Sequence, residues 1–156
     1  MMKSFILLPA IEFCMNWRIE RMQTGYREDL KRLYLASRLH AFTWLDASRF
    51  SLDDFDSATL GETVLVAVAG EKPIGFISWW EPDNFIHNVY VDSRFLHQGI
   101  GKALLNQCLA EIGRPATLKC LQQNTNTLSF YLAQGWCIKN EGPSSDGPYY
   151  LMTYDF

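Results

Sequence analysis

The stretch from Phe85 to Gly113, FIHNVYVDSRFLHQGIGKALLNQCLAEIG, constrains the fold more than any other part of the chain. Residues 85–91 are mostly apolar, aromatic or β-branched, which is typical of a buried strand. After a glycine turn at 99–101, apolar residues recur with the period of an amphipathic helix, at Ile100, Leu104, Cys108 and Ile112. Gly113, followed by Pro115, predicts the end of this helix. The stretch therefore predicts a strand, a glycine turn and a helix in direct succession.

The glycine turn presents bare backbone N–H groups at the positive end of a helix dipole, which favours anions and phosphates above all. Two common phosphate loops do not fit it. A dinucleotide-binding turn requires a third glycine where Leu104 stands, and a P-loop requires glycine at Leu96 and Ser or Thr at Ala103. The turn therefore predicts a phosphate site of another kind.

Two runs of residues narrow this prediction. The first is Leu96-His97-Gln98-Gly99-Ile100-Gly101, preceded by a strand that ends in Val89-Tyr90-Val91. The second runs from Asn124 through Tyr131 to Gly135-Trp136. Together they resemble the GNAT superfamily of acetyl-CoA-dependent N-acetyltransferases, whose pyrophosphate loop reads roughly Gln/Arg-x-x-Gly-x-Gly/Ala and whose second motif reads Asn-x-x-Ala-x-x-Phe/Leu-Tyr-x-x-x-Gly-Phe. The departures are Leu96 for Gln or Arg, Thr127 for Ala, and Trp136 for Phe.

The remaining periodicities predict the other elements. Strands are expected at 17–22, 63–69, 74–80, 117–121, 136–140 and 149–154, and helices at 26–39 and 126–134, with another capped by Ser51. The order β-α-α-β-β-β-α-β-α-β-β predicts an α/β (α+β) fold. The resemblance implies a mixed, mainly antiparallel central sheet flanked by helices, with a splayed central strand pair.

Length and composition limit the classes of function. A chain of 156 residues predicts one domain, expected at 16–156, with residues 1–15 as an N-terminal extension. A net charge of -3 without a basic run argues against nucleic acid as a partner, and no apolar run reaches the length of a membrane span. The four cysteines form no metal-ligand pattern, so no metal is expected, and Cys108 and Cys120 are predicted to be reduced core residues. A cytoplasmic location follows from this cysteine usage.

The resemblance implies acetyl-CoA as co-substrate. Its pantetheine arm would lie along the backbone of Val89, Tyr90 and Val91. Its pyrophosphate would sit on the loop amides, for which the candidates are His97, Gln98, Gly99, Ile100, Gly101 and Lys102. Glycine is expected at 99 and 101 because a β-carbon would block close approach. Asn124 would bind the cofactor or brace the splay, or it would cap the following helix.

The resemblance also implies catalytic roles. Tyr131 would be the general acid that protonates the departing CoA thiolate. His87 would be the base for the acceptor amine, acting through water, with Glu81 or water alone as the fallback. Strand alternation predicts that His87, Val89 and Val91 share one face. A backbone N–H in the Val89–Tyr90 region, where family strands are bulged, would hold the tetrahedral oxyanion.

Acceptor selectivity is expected from the 26–55 region and the 142–150 loop. The aromatic candidates are Phe42, Trp44, Trp79, Trp80 and Tyr149, and Asp53, Asp54 and Asp56 could attract a cation. The competing interpretation is that these aromatics are core residues and these acids a solvated face. The predicted partner is a small-molecule amine or a peptide amine, and homodimer formation stays open. Two other functions stay open as well: a non-catalytic acyl-CoA-binding GNAT module that acts as a sensor or interaction domain, and a different phosphate-ligand domain.

Overall fold

The structure, a computed structural model, describes residues 16–156, so the predicted extension at 1–15 lies outside the described residues. The strands are β1 (Trp17–Arg21), β2 (Thr63–Ala69), β3 (Lys72–Trp80), β4 (Phe85–Val91), β5 (Ala116–Leu121), β6 (Cys137–Gly142) and β7 (Tyr149–Tyr154). The helices are α1 (Arg27–Ala41), α2 (Asp54–Thr59), α3 (Ile100–Glu111) and α4 (Thr125–Ala133). Short 3-10 turns lie at Thr24–Tyr26, Ala47–Arg49, Glu81–Asp83 and Ser93–Phe95.

The strands form one mixed sheet in the order β1-β2-β3-β4-β5-β7-β6. Every neighbouring pair is antiparallel except β4 and β5, which run parallel. The predicted element order and the predicted α/β (α+β) class with a mainly antiparallel sheet are therefore confirmed. The helix that was expected to start at Ser51 instead begins at Asp54. The Ser51 hydroxyl accepts from the Asp53 N–H at 3.2 Å, which forms a turn before the helix rather than a cap on it.

Both faces of the sheet are buried, because β2 and β3 supply apolar side chains to each. On the face covered by α3 and α4, buried residues of the strands and helices form one cluster, which includes Leu65, Ile77, Leu104, Leu118 and Tyr131. On the face covered by α1 and α2, a second cluster includes Leu30, Phe55, Val64, Val66 and Phe76. These two faces are called the α3 face and the α1 face below.

Helix α3 packs closely on β3 because Gly75 lies beneath it. A Cβ at Gly75 would stand 3.0 Å from the Tyr90 carbonyl oxygen and 3.3 Å from Cδ1 of Leu104. Those distances are tighter than most real Cβ contacts, so a larger residue would push the helix away from the sheet. The close packing positions the N-terminus of α3 beside the end of β4, where the glycine turn lies.

Candidate functional site

Strands β4 and β5 part soon after they meet. They pair only at Phe85 with Thr117 and at Ile86 with Leu118. Beyond Ile86, β4 continues for the rest of its length paired with β3 alone among the described residues, while β5 stays fully paired with β7. The predicted splay is therefore present, and it leaves one backbone edge of residues 89–91 open toward β5.

The predicted pyrophosphate loop connects the open end of β4 to α3. His97 and Gly99 both adopt left-handed backbone angles, with φ of 64° and 82°. Gly99 is the N-cap residue of α3, and its conformation explains the glycine, because left-handed angles strain most other residues. Gly101 is different. A Cβ there would make ordinary contacts, 3.7 Å from Cγ2 of Val91 and 3.8 Å from Cζ of Phe130, so packing alone does not require glycine at 101.

Tyr131, the predicted general acid, lies on α4 in the cluster of the α3 face. It is 6% exposed and packs edge-on against Phe130 and Trp136, with ring centroids 5.3 and 5.9 Å away. Burial raises the pKa of Tyr131 above its usual value, so its hydroxyl remains protonated at neutral pH. The same helix supplies Phe130, which faces Gly101 across the loop. Tyr131 is thus next to the residue that lines the predicted cofactor loop.

His87, the predicted base, lies in a β-bulge. The register between β3 and β4 shifts between Ser78 and Trp79, so that Ser78 pairs with Asn88 and Trp79 pairs with Ile86. His87 is the extra residue, and the bulge lies there rather than at Val89–Tyr90 as predicted. A bulge interrupts the alternation of side chains.

The interruption changes which face His87 occupies. Val89 and Val91 pack against the cluster of the α3 face, whereas His87 contacts Glu62 and Asn88 contacts the Ala58 carbonyl in α2. The prediction that His87 shares a face with Val89 and Val91 is therefore wrong. His87 and Asn88 both lie on the α1 face, on the opposite side of the sheet from Tyr131.

A chain of hydrogen bonds ends at the His87 ring. The Asn88 side-chain amide donates to Oγ of Ser78 at 2.8 Å, and Ser78 in turn donates to Oε1 of Glu62 at 2.7 Å. The other Glu62 oxygen, Oε2, lies 3.0 Å from Nδ1 of His87. The side chain of Glu62 is 8% exposed and that of His87 is 46% exposed, so the chain runs from the interior to the surface.

The Glu62 carboxylate raises the pKa of His87 above its usual value, first through the hydrogen bond to the ring and also through its charge. The Ala58 carbonyl acts in the same direction. Partial burial and the positive charge of Lys119 on β5 oppose the shift. The protonated ring is therefore favoured relative to a free histidine, which makes His87 a stronger base.

The aromatic residues predicted for the acceptor pocket fall into three groups. Phe42 and Trp44 pack edge-on at 5.5 Å, and Nε1 of Trp44 donates to the Asp146 carbonyl at 3.4 Å, so both lie beside the β6–β7 loop. Tyr149 begins β7 after that loop, and its ring lies 4.7 Å from Nζ of Lys119. Trp80 lies instead beside Gly61 and is 39% exposed. An ion pair between Arg49 and Asp146, 2.7 Å long, adds a second tie between the segment after α1 and the same loop.

Several polar and aromatic candidates have other partners. Trp79 is fully buried on the α3 face and donates to Oε1 of Glu81 at 2.7 Å, so it does not join the acceptor aromatics. Asp54 pairs with Arg38 at 3.1 Å, and Asp56 pairs with Lys31 at 3.4 Å. These two acids are thus neutralised by α1 rather than directed at an acceptor.

Asn124 occupies the N-cap position of α4, and its side chain makes no capping hydrogen bond. The alternative role of helix cap therefore has no support from its contacts. The side chain stands at the start of α4, the helix that carries Tyr131.

A sequence profile identifies the family of this chain. The profile of the acetyltransferase (GNAT) family matches residues 19–136, which include both motifs and all of the elements from β2 to α4. The chain belongs to the GNAT family of acetyltransferases. No curated protein sequence matches the chain significantly.

Solved structures carry the same GNAT fold. The apo form of YjaB from Escherichia coli is 21% identical, with a TM-score of 0.76 over 90% of this chain and 98% of YjaB. PaiA N-acetyltransferase from Thermoplasma acidophilum, solved in complex with coenzyme A, is 18% identical, with a TM-score of 0.75 over 91% and 100% of the two chains. The ribosomal-protein-S18-alanine N-acetyltransferase of Escherichia coli is 20% identical, with a TM-score of 0.68 over 90% and 94%.

Sequence reasoning about this GNAT chain missed Glu62, which lies 25 residues before His87 and meets it only in the folded sheet. A signal was present nonetheless, because Ser78 and Asn88 are polar residues within otherwise apolar strands, and buried polar groups require partners. In residues 16–156, no helix combines the length and the apolar character needed to cross a membrane. The same residues contain no group of three or more His, Cys, Asp or Glu side chains arranged to hold a metal ion.

Proposed function

We propose that this GNAT chain transfers an acetyl group from acetyl-CoA to a primary amine of a small molecule or peptide, directly and within a ternary complex. One observation carries the proposal: β4 and β5 pair at only two positions, and the open edge of β4 leads into a loop of left-handed residues at the start of α3. An open strand edge can pair with the amides of a pantetheine arm, and helix N-terminal amides favour a pyrophosphate.

The absence of any packing requirement for glycine at 101 supports the cofactor assignment. Glycine at 101 would let a ligand approach the backbone closely, which a β-carbon would hinder. The coenzyme A complex of PaiA, a relative with the same fold, is consistent with this. The residues proposed to hold acetyl-CoA are His97, Gln98, Gly99, Ile100, Gly101 and Lys102 in the loop, with Val89, Tyr90 and Val91 in β4 and Asn124 before α4.

The cofactor and the acceptor are proposed to bind from opposite faces of the sheet. Tyr131 belongs to the α3 face, beside the cofactor loop, and His87 belongs to the α1 face, beside Glu62. A cofactor and an acceptor that enter from opposite faces can be bound together, which is the requirement for direct transfer. The name of the ribosomal-protein-S18-alanine N-acetyltransferase gives an alanine of a protein as its acceptor. This chain is proposed to acetylate a primary amine of a small molecule or of a peptide.

The two buried cysteines, Cys108 and Cys120, provide no competing route through an acyl-cysteine. Cys108 and Cys120 are both buried, and burial raises the pKa of the Cys108 thiol and raises that of Cys120 to about 11. A thiol attacks as its thiolate, so neither is a nucleophile at neutral pH. In the proposed step the acceptor nitrogen forms a bond to the acetyl carbon, the carbon–sulfur bond breaks, His87 takes the amine proton, and Tyr131 gives its proton to the CoA sulfur.

Transfer is tested by following CoA release from acetyl-CoA against a panel of amines, amino acids and peptide N-termini. Tyr131→Phe retains the ring and its packing but removes the proton donor. We expect kcat to fall by roughly 10²- to 10⁴-fold with acetyl-CoA affinity little changed. Phe130→Leu, on the same helix, is the control for altered packing near the loop, and it should change acetyl-CoA affinity rather than the chemical step.

Three outcomes are informative. A Tyr131→Phe enzyme within a few-fold of the original chain would contradict the role of proton donor. Acetyl-CoA binding without transfer to any acceptor would instead support the alternative of a non-catalytic acyl-CoA-binding module. Failure to bind acetyl-CoA would contradict the cofactor assignment altogether.

A further inference from the structure

The hydrogen-bonded chain on the α1 face holds His87 at Nδ1. Asn88 has its amide hydrogen directed at Ser78, so the Ser78 hydroxyl accepts there and has its own hydrogen left for Glu62. Each group in the chain thus fixes the donor direction of the next. Glu62 cannot turn away without breaking its hydrogen bond to Ser78, which is fully buried.

The bulge gives this arrangement its geometry. His87 is left without a partner residue on β3, so its side chain is directed toward the turn that joins α2 to β2, where Glu62 lies. With Nδ1 engaged by the carboxylate, Nε2 is the nitrogen that remains for proton exchange. The charged groups that act on the ring are Glu62 from the turn before β2 and Lys119 from β5, together with a backbone hydrogen bond to Ala58 of α2.

We propose that Glu62 is a positioning residue that holds His87 through Nδ1, so that Nε2 takes the proton of the acceptor amine directly or through one water. This inference rests on the proposed acetyl transfer. In the step, the amine nitrogen loses a proton to Nε2 as its bond to the acetyl carbon forms. The ring becomes an imidazolium whose Nδ1–H donates to the Glu62 carboxylate. The imidazolium then returns its proton to solvent.

The test begins with the ring itself, independently of catalysis. The chain has three histidines, His40, His87 and His97, so a His87→Gln spectrum assigns the His87 signals. NMR titration should show that Glu62→Gln lowers the His87 pKa by about one unit, because an opposite charge beside the ring is removed. The nitrogen shifts of the neutral ring should also lose their preference for a proton on Nδ1. Ser78→Ala, which frees Glu62 to turn, should lower the pKa less.

The second arm follows the reaction. The acidic limb of kcat/KM should move to lower pH in Glu62→Gln by the same amount as the NMR pKa, and kcat should fall near neutral pH. Glu71→Gln is the charge-matched control. Glu71 lies in the β2–β3 turn, at the far end of a strand about 23 Å long, and its removal should leave both readouts unchanged.

Three outcomes would overturn the inference. An unchanged His87 pKa in Glu62→Gln overturns the inference, and so does a lowered pKa with an unmoved acidic limb. A raised KM for the acceptor at every pH, with kcat unchanged, would also overturn it, since Glu62 would then bind the acceptor directly. If the chain transfers no acetyl group, the proposed function fails, while the NMR titration still decides whether Glu62 holds the ring.

Discussion

Gly101→Asp tests the phosphate loop with a matched control, Gly101→Asn. The structure allows either side chain, because a Cβ at 101 meets Val91 and Phe130 only at 3.7 and 3.8 Å. Gly101 is the second residue of α3, where an acidic side chain favours the helix by about 0.3–1 kcal/mol. The folded state should therefore tolerate Asp, and the melting temperature should be equal to that of the original chain or slightly higher.

Acetyl-CoA affinity, unlike the melting temperature, should fall in Gly101→Asp. A carboxylate roughly 5 Å from one phosphate charge costs about 3 kcal/mol at an effective dielectric constant of ~20, before screening by salt. Salt reduces this value, so acetyl-CoA affinity should fall by about 10- to 100-fold. Gly101→Asn adds nearly the same volume without the charge. Its acetyl-CoA affinity should therefore fall only by the amount that steric crowding causes.

Calorimetric titration of the three proteins with acetyl-CoA at low and high salt separates these contributions. The difference in acetyl-CoA affinity between Gly101→Asp and Gly101→Asn should decrease as the salt concentration rises, because that difference is electrostatic. Equal losses for Asp and Asn would refute the reasoning, since they would leave crowding as the only effect. Affinity within two-fold of the original chain for Gly101→Asp would refute the phosphate loop itself.

Two further predictions concern folding. Gly99→Ala should lower the free energy of unfolding by about 1–2 kcal/mol because residue 99 has φ of 82°; urea denaturation checks this, and an effect no larger than that of Gly101→Ala would contradict it. His87 has a raised pKa in the folded state, so its pairing with Glu62 stabilises the protein fully below the unfolded value near 6.5 and less as pH rises through the folded value. His87→Gln should therefore lose more stability at pH 6 than at pH 9, and a loss independent of pH would show that the ring charge contributes nothing.

The segment from Phe85 to Gly113 was predictable because its information is local. The strand and the helix follow from the spacing of their own apolar residues, and left-handed geometry at Gly99 follows from the residue type. The helix bounds differ from prediction only at the ends, with α3 ending at Glu111. The family motifs added what spacing could not: that the turn leads to a splayed strand pair.

The side of the sheet on which His87 lies was not predictable from its own strand. It depends on a register shift opposite Ser78 and Trp79, and that shift arises from pairing with β3 rather than from any pattern in β4. Trp79 was misjudged for a related reason. Strand β3 is buried on both faces, so its apolar run has no alternation that could assign Trp79 to one face.

The partners of the acidic acceptor candidates, Asp54 and Asp56, were also not predictable from the sequence. The periodicity of α1 predicts which face of that helix is polar, but not what the polar residues meet. Lys31 and Arg38 reach Asp56 and Asp54 only because α1 and α2 pack side by side on the sheet. An acidic residue in a sequence therefore predicts a positively charged partner without identifying it. Here the partners are basic residues of the same chain.

The splay gives this sheet more edges than its seven strands would ordinarily have. An exposed strand edge invites another chain to add to the sheet, and proteins usually guard such edges with charge or cover. At the outer edge, β6 carries exposed Lys139 and Glu141. The inner edge at Val89–Val91 lies instead inside the sheet, between β3 on one side and the departing β5 on the other. A chain that adds to the sheet there has to enter between two strands of the same molecule, whereas one that adds to β6 meets only solvent-exposed side chains.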